Sequence, residues 1–333
     1  MLTLNELQQR SIQLLPEVQR LFALGVEELP VLFSVRGKQR EYFAPIYASN
    51  VCGSRCSYCA FHKGSGVQRI TLTPKQAVQE ALFLKERGYD SVYCLSGSFP
   101  EKDITKIGSM TEVNARVLRA LSQVGLFPVL ESSPFSQKNL ESLLKSAGDY
   151  GRYVLFMETY NREAYRELHG GDPYKGDPER RLQQVELAFA AGWQELGIGA
   201  LLGLNKEIPR EIASVVAHCH YLQKECGVHK VTISVPRVNS GTDVEASKWK
   251  VSDETFIQAV FVLQALCPDA WIVLTGRESI AMRDRLIPHI NQCIIGARGS
   301  TVPGGYTLGN KSRDGQFELV DKRSVEELQQ KYR

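Results

Sequence analysis

Long apolar runs and a strong charge of one sign are both missing from this 333-residue sequence. No apolar run approaches the ~20 residues of a membrane-spanning helix, so we expect no membrane segment. The 40 Lys and Arg residues nearly balance 37 Asp and Glu residues, for a net charge of +3, which disfavours a nucleic-acid partner. The polar, amphipathic residues 1–6 lack the basic start and apolar core of a signal peptide. We therefore predict a cytoplasmic protein.

Cysteine is concentrated in one short segment. Of eight cysteines, Cys52, Cys56 and Cys59 follow the spacing Cys-x3-Cys-x2-Cys, and such clustering indicates metal binding or catalysis instead of disulfides. A closed zinc site needs four ligands, commonly from two cysteine pairs far apart in sequence, and no second pair is present. A [4Fe–4S] cluster usually takes four cysteines, so three leave one iron open to another ligand. We predict such a cluster, with a structural zinc site as the alternative.

Eight apolar, strand-like runs alternate with seven amphipathic, helix-like segments. The runs are Phe43–Ala48, Ser91–Leu95, Phe127–Leu130, Tyr153–Glu158, Glu195–Leu201, Lys230–Val235, Trp271–Thr275 and Gln292–Ile295, and the helix-like segments lie near 74–87, 111–124, 137–146, 178–191, 208–225, 252–266 and 279–287. The alternation predicts an α/β fold with a parallel sheet, and eight strands close a (βα)8 TIM-type barrel. The cysteine segment follows the first strand, so we expect it at the carboxyl end of the barrel, where barrel enzymes keep their active sites.

The same pattern divides the chain into three parts. Residues 3–26 carry apolar side chains at helical spacing, which predicts one or two helices broken near Pro16, and residues 1–40 are expected to form an N-terminal helical extension. Residues 41–306 form the barrel. The highly charged residues 307–333 form a C-terminal tail that either covers a barrel edge or frays.

A series of short motifs, in a fixed order, extends the cysteine signal over residues 40–306. The motifs are Tyr47–Asn50, Glu158–Tyr160 with Tyr165 and His169, Ala191–Gly192, Gly197–Leu204, Ile233–Arg237, Val251–Glu254, Leu274–Glu278 with Arg283 and Asp284, and Pro303–Tyr306. The series resembles the aromatic amino acid lyase branch of the radical S-adenosylmethionine (SAM) superfamily. That branch includes the tyrosine lyase of thiamine biosynthesis (2-iminoacetate synthase), the tyrosine lyase of hydrogenase maturation and a tryptophan lyase.

The resemblance implies a site for the cluster and SAM. Cys52, Cys56 and Cys59 would hold the cluster, with SAM on the open iron. The expected SAM-binding residues are Tyr58 against adenine, Ser96, Gly97 and Ser98 at the amino group, Glu158 at the ribose or the amine, Arg181 at the carboxylate, and Gly199 and Leu201 beside adenine. Ser98 stands where the relatives often have Glu. Structural alternatives remain for Tyr58 as a core residue, Arg181 on a helix surface and the glycine-rich run as barrel packing.

The resemblance also implies a site for a free amino acid. Arg277 would bind the substrate carboxylate and Tyr47 would lie near its amino group, so these two are the expected catalytic residues. Ser300 would complete the carboxylate site, although residues 296–300 depart from the family's serine pattern. Arg237 is a second candidate, with an ion pair at the barrel mouth as its alternative role. Tyr160 and His169 could line the pocket, and a structural role for His169 is favoured.

The implied reaction is reductive cleavage of SAM and use of the 5′-deoxyadenosyl radical on the substrate. Tyrosine would give dehydroglycine and p-cresol, and the alternative substrate is tryptophan or another small amino-acid-like molecule. The expected partners are a one-electron donor of the flavodoxin or ferredoxin type and a downstream biosynthetic enzyme. No cysteine follows Cys293, so we expect no auxiliary cluster and no synthesis of CO or cyanide. A non-catalytic iron–sulfur carrier is disfavoured, because it has no use for an amino acid site.

Overall fold

Eight parallel strands close into a barrel in sequence order, as the alternating pattern predicted. The computed structural model describes residues 1–29, 38–101, 107–238, 249–310 and 315–332. The strands are β1 (Gln39–Ser49), β2 (Ser91–Ser96), β3 (Phe127–Glu131), β4 (Arg152–Val154), β5 (Glu195–Gly199), β6 (Lys230–Ser234), β7 (Trp271–Leu274) and β8 (Gln292–Gly296). β1 pairs with both β2 and β8, which closes the barrel.

Helices surround the barrel and extend beyond it at both ends of the chain. They are α1 (Leu4–Phe22), α2 (Pro74–Lys85), α3 (Met110–Gln123), α4 (Gln137–Ser146), α5 (Arg162–His169), α6 (Pro178–Ala190), α7 (Ile208–Lys224), α8 (Asp253–Leu266), α9 (Ile280–Leu286) and α10 (Val325–Tyr332). Local sequence sets their starts. The Thr73 side chain caps α2 in a capping box with Gln76, and Ser252 caps α8, so free amide groups of the first turn gain acceptors. In the described part of the chain, no helix is long and apolar enough to span a membrane.

The barrel interior is closed at its amino end. Arg152 on β4 is fully buried and donates to Glu41 on β1 at 2.9 Å and to Glu195 on β5 at 2.6 Å. Burial would raise the pKa of Glu41, but Arg152 holds that pKa at about 2. A packed apolar layer lies above this network and contains Phe43, Tyr93, Val129, Val154, Val273 and Ile294. The layer leaves space only toward the carboxyl ends of the strands.

The structure refines three details of the expected architecture. α1 is one continuous helix that contains Pro16, and its apolar face packs mainly on α7. Ile12 is exposed, so water can solvate the carbonyl that Pro16 leaves without a helical donor. β1 begins at Gln39, close to the expected start of the barrel at residue 41.

The strand expected over Tyr153–Glu158 is shorter in the structure, where β4 ends at Val154. The amides of Leu155 and Met157 still donate to the carbonyls of Gly197 and Gly199 in β5 at 3.0 Å. The chain enters the left-handed region at Glu158, whose φ is 67°.

Candidate functional site

A cavity at the carboxyl end of the barrel brings together most of the predicted site residues. Those that line it are Tyr47, Cys52, Cys56, Tyr58, Cys59, Ser96, Gly97, Ser98, Glu158, Arg181, Leu201 and Arg277. Apart from Arg181 on α6, they come from the carboxyl-terminal sides of different strands and the loop after β1, as the direction of a parallel barrel requires.

The loop that carries the three cysteines is fixed by hydrogen bonds from both sides. The Asp172 carboxylate accepts from the Ser54 hydroxyl at 3.2 Å and from the Arg55 amide at 2.9 Å. On the other side, Arg69 donates to the carbonyl of Asn50 at 2.6 Å and to that of Phe61 at 3.0 Å. These hydrogen bonds within the protein therefore fix the shape of the cysteine loop.

The cysteine thiols have the surroundings that an iron–sulfur cluster needs. Burial raises the pKa of Cys56 and raises that of Cys59 to about 11, so their ionisation at neutral pH requires the positive charge of bound iron. The Ser98 amide donates to Cys52 Sγ at 3.4 Å, and the Gln316 side chain donates to Cys59 Sγ at 3.4 Å. Hydrogen bonds of this kind tune cluster sulfurs.

A single-ion site fits the described residues less well than a cluster does. In the described ranges, no three His, Cys, Asp or Glu side chains converge closely enough to hold one metal ion. A cubane gives each of three cysteines its own iron, so it takes a wider arrangement than one zinc ion. The donor set of Cys52, Cys56 and Cys59 therefore fits the [4Fe–4S] cluster.

Gly97, at the end of β2, is required by the close approach of the cysteine loop. A Cβ at this position would lie 2.2 Å from the Val51 carbonyl oxygen and 2.8 Å from Cys52 Cβ. The Gly97 amide donates to the Ser49 carbonyl at 3.0 Å. The flanking hydroxyls are engaged elsewhere, since Ser96 pairs with Ser132 at 2.7 Å and Ser98 pairs with Ser133.

An ion-pair group centred on Glu158 forms the second side of the cavity. Its carboxylate accepts from Lys175 at 2.5 Å and from Arg181 at 3.1 Å. Burial would raise the pKa of Glu158, but Lys175 and Arg181 hold that pKa at about 2. Arg181 Nη1 is buried with no hydrogen-bond partner among the described residues, so it remains available to a bound anionic group.

Lys175 and His169 extend this group to Tyr58. Lys175 Nζ donates to the Tyr58 hydroxyl at 3.3 Å, and His169 Nε2 lies 3.2 Å from the same oxygen. The sequence analysis did not identify Lys175, because a lysine in the loop between α5 and α6 has no periodicity that would indicate its direction. Tyr160 instead pairs with His218 at 2.8 Å, among buried side chains away from the cavity lining.

The third side of the cavity combines Arg277 with residues of the C-terminal segment. The Arg277 guanidinium lies 3.5 Å from the centre of the Phe317 ring, a cation–π contact. The Tyr47 hydroxyl donates to Gln316 Oε1 at 2.7 Å. The sequence analysis missed Gln316 and Phe317, because both lie in a charged tail with no motif.

Glu131, at the end of β3, also lines the cavity. Burial raises the pKa of its carboxyl group to about 7, and the charge of Arg277 opposes that rise. The sequence analysis noted polar residues at this strand end but assigned them no role.

Besides Tyr160 and His169, three more predicted residues do not line the cavity. Arg237 forms ion pairs with Glu278 and with Asp253, which is the alternative role considered for it. Ser300 lies in a neighbouring surface cavity and its hydroxyl donates to the Val302 carbonyl at 3.2 Å. A Cβ at Gly199 would lie 2.0 Å from the Ser234 carbonyl oxygen, so this glycine serves the packing of β5 against β6.

Comparisons with known proteins agree with this arrangement. Residues 46–217 match the model of the Radical SAM superfamily, and residues 228–333 match the Biotin and Thiamin Synthesis associated domain. The 2-iminoacetate synthase of Escherichia coli (strain K12) is 27% identical over 294 residues, which are 87% of this chain and 74% of that protein. The 3-methylornithine synthase of Methanosarcina barkeri (strain Fusaro / DSM 804) is 26% identical over 200 residues, 57% of this chain and 53% of that protein.

A solved structure extends the similarity to nearly the whole chain. The FeFe-hydrogenase maturase HydG from Carboxydothermus hydrogenoformans is 30% identical with a TM-score of 0.77, over 97% of this chain and 77% of that protein. These matches confirm the resemblance indicated by the sequence motifs. With the superfamily model matching more than half of the residues and the three cysteines at the mouth of a closed barrel, this chain belongs to the radical SAM superfamily.

Proposed function

We propose that this radical SAM enzyme is a carbon–carbon lyase that acts on free tyrosine and releases dehydroglycine and p-cresol. The observation that carries the proposal is the presence of Arg277 and Tyr47 in the same cavity as the three cysteines. A half-buried guanidinium that lines a cavity is suited to a carboxylate, which it can bind through two parallel hydrogen bonds. The similarity to 2-iminoacetate synthase supports the same reaction, since 2-iminoacetate is dehydroglycine.

The residues present would hold both cofactors of the family. Cys52, Cys56 and Cys59 would bind the [4Fe–4S] cluster, and the Glu158 group with Arg181 would bind the polar ends of SAM. When bound, the cluster and SAM would supply radical chemistry that takes one hydrogen atom from the substrate amino group. A reductant is needed, and we propose a flavodoxin or ferredoxin type of donor.

The chain's own residues hold the substrate for that step. Arg277 would bind the carboxylate, and Phe317 restrains the guanidinium by stacking on it. The apolar floor of the cavity, which includes Phe43, Tyr93 and Val273, would receive the aromatic ring. Such positioning contributes to catalysis because the reacting atoms are held together before the reaction. The floor also excludes water from below.

The proposal covers the cleavage step and no later chemistry. The sequence after Tyr306 contains no cysteine, so nothing in it provides ligands for an auxiliary cluster or supports the formation of CO or cyanide. A downstream biosynthetic enzyme would use the dehydroglycine.

A second candidate is the same radical chemistry on tryptophan or another small amino acid. Two observations favour keeping it. Ser300, expected to complete the carboxylate site, lies in a different cavity. The similarity to 3-methylornithine synthase adds a relative whose name indicates an aliphatic amino acid.

Product analysis tests the proposal directly. Anaerobic, cluster-reconstituted protein with dithionite, SAM and tyrosine should release p-cresol and 5′-deoxyadenosine in equal amounts. Deoxyadenosine without p-cresol would exclude tyrosine cleavage, and the twenty common amino acids should then be compared by deoxyadenosine yield. Arg277→Lys keeps the charge but loses the planar fork, so it should raise the KM for the amino acid while SAM binding is retained.

A further inference from the structure

Glu131 is a carboxyl group in the cavity without a partner in the described part of the chain. It ends β3, where it pairs in register with Leu95 of β2 and Val154 of β4, and its side chain lines the cavity. No described residue donates a hydrogen bond to its carboxylate or forms an ion pair with it. The neighbouring hydroxyls of Ser132 and Ser133 are engaged with Ser96 and Ser98.

A structural role does not explain an unpartnered carboxyl at this position. A buried polar group costs free energy unless it is hydrogen-bonded, and an isolated charge costs far more. Glu131 is half-buried, and desolvation raises its pKa to about 7 although the charges of Arg277, Arg181 and Lys175 oppose that rise. A ligand that donates hydrogen bonds would remove this cost.

Of the two carboxyl groups that line the cavity, Glu158 is ion-paired and Glu131 has no ion pair among the described residues. The charged groups that act on it are Arg277, Glu158, Arg181 and Lys175, and the phenols of Tyr47 and Tyr93 face it. Glu158, Arg181 and Lys175 are paired with one another. Arg277 is the cation with the largest effect on Glu131. Glu131 and Arg277 therefore present one acidic and one basic group to the same space.

We propose that Glu131 binds the α-ammonium group of the substrate while Arg277 binds its carboxylate. The site then selects zwitterionic α-amino acids against simple acids and simple amines. This inference rests on the proposed function and names the group that recognises the amino end. Tyr47, expected at that end from the family resemblance, donates its own hydrogen to Gln316, so it can assist the ammonium group only as an acceptor.

Three related ligands test the assignment by calorimetry on the anaerobic, SAM-loaded holoenzyme. They are tyrosine, tyramine, which lacks the carboxylate, and 3-(4-hydroxyphenyl)propionate, which lacks the amine. Glu131→Gln should weaken the binding of tyrosine and tyramine about 10- to 100-fold, the range of a charged hydrogen bond. It should leave the binding of the propionate unchanged or tighter. Glu167→Gln, at an exposed position on α5, is the matched control and should change none of the three.

A pH series adds a readout that a purely structural residue would not affect. The ammonium group binds the ionised carboxylate, so the affinity of the wild-type protein for tyrosine should follow the ionisation of Glu131. The logarithm of the affinity should rise from pH 6 to about pH 7, the pKa of Glu131, and level off toward pH 8. The same series on Glu131→Gln should be flat over this interval. Glu131→Asp keeps the charge on a shorter side chain and should show an intermediate loss with the pH dependence retained, which also covers the case in which Glu131→Gln does not fold.

The outcomes separate this inference from the proposed function. Wild-type affinity for tyrosine in Glu131→Gln, or an equal loss for all three ligands, overturns the inference while leaving the lyase proposal intact. Failure of the wild-type protein to bind any of the twenty common amino acids overturns both.

Discussion

At the scale of single residues, Gln316 links Tyr47, on the proposed substrate side of the cavity, to Cys59 on the cysteine side. Its Oε1 accepts from Tyr47 and its Nε2 donates to Cys59 Sγ. One side chain therefore orients a residue beside the substrate site and modifies a cluster ligand. Hydrogen bonds to cluster sulfurs stabilise the reduced state, because it carries more negative charge, and they raise the reduction potential.

Replacement of this side chain should change the cluster without removing it. We expect Gln316→Leu to retain bound iron and to lower the reduction potential of the cluster, since the hydrogen bond to Cys59 is lost. An anaerobic redox titration followed by electron paramagnetic resonance measures the shift. Gln330→Leu, at an exposed position on α10, is the control. An unchanged potential in Gln316→Leu would show that this hydrogen bond does not tune the cluster.

The residues that could be predicted from sequence are those with a local signature. The three cysteines are identified by spacing alone, because cluster ligands on one loop must be close in sequence. Glu131 and Lys175 have no such signature. Their importance depends on which way a strand end or a loop points within the closed barrel, and a single sequence does not contain that direction.

At the scale of helices and strands, the alternating pattern predicted the barrel because each element buries one face against the next. It was less accurate where the tertiary structure overrides local preference. The apolar run after Arg152 continues past the end of β4 at Val154. Leu155 and Met157 keep backbone hydrogen bonds to β5, and the chain then places Glu158 in the left-handed region, with φ of 67°. α5 (Arg162–His169) was not predicted, since it is only eight residues long and mostly polar, with Tyr165 and His169 as its buried side chains.

The contact between the end of β2 and the cysteine loop is an element-scale feature that a single methyl group can test. We expect Gly97→Ala to push the loop away from β2, because its Cβ would overlap the Val51 carbonyl oxygen at 2.2 Å. Overpacking of this kind costs about 1–3 kcal/mol. The bound iron per chain and the visible absorbance of the cluster should both fall.

The control for this substitution is Gly25→Ala. There the added Cβ would meet only the Glu28 side chain, at an ordinary distance of 3.5 Å. Cluster content equal to the wild type in Gly97→Ala would mean that the loop tolerates displacement, against the close packing described here.

At the scale of the whole molecule, the C-terminal segment is part of the barrel. The amides of Val320 and Asp321 donate to the Gly276 carbonyl at 2.8 and 3.0 Å, and Leu328 of α10 is fully buried. Of the two alternatives for the tail, the described residues fit a cover over the barrel edge. The charged composition concealed this role, because the charges are paired internally: Arg323 binds Asp284 at 2.7 Å and Asp321 at 2.6 Å.

The attachment of this segment depends on the pair of Arg283 in α9 with Asp321, both fully buried. Burial would raise the pKa of Asp321, but Arg323 and Arg283 hold it below its ordinary value. The stabilisation is therefore present above the ordinary pKa of an aspartate and is lost as the pH falls through the lowered pKa of the folded state.

Asp321→Ala should leave Arg283 buried without its carboxylate, which costs about 3–5 kcal/mol when one partner of a buried pair is removed. Urea unfolding at pH 7 measures this loss, and the difference from the wild type should shrink in acid.

Detachment of the segment also withdraws Gln316 and Phe317 from the cavity, so tyrosine affinity should fall together with stability. The double variant Arg283→Met/Asp321→Leu replaces the pair with apolar side chains of similar volume and should recover part of the stability, because no unpaired charge remains. Equal unfolding free energies for Asp321→Ala and the wild type would show that the segment is held by its apolar contacts alone.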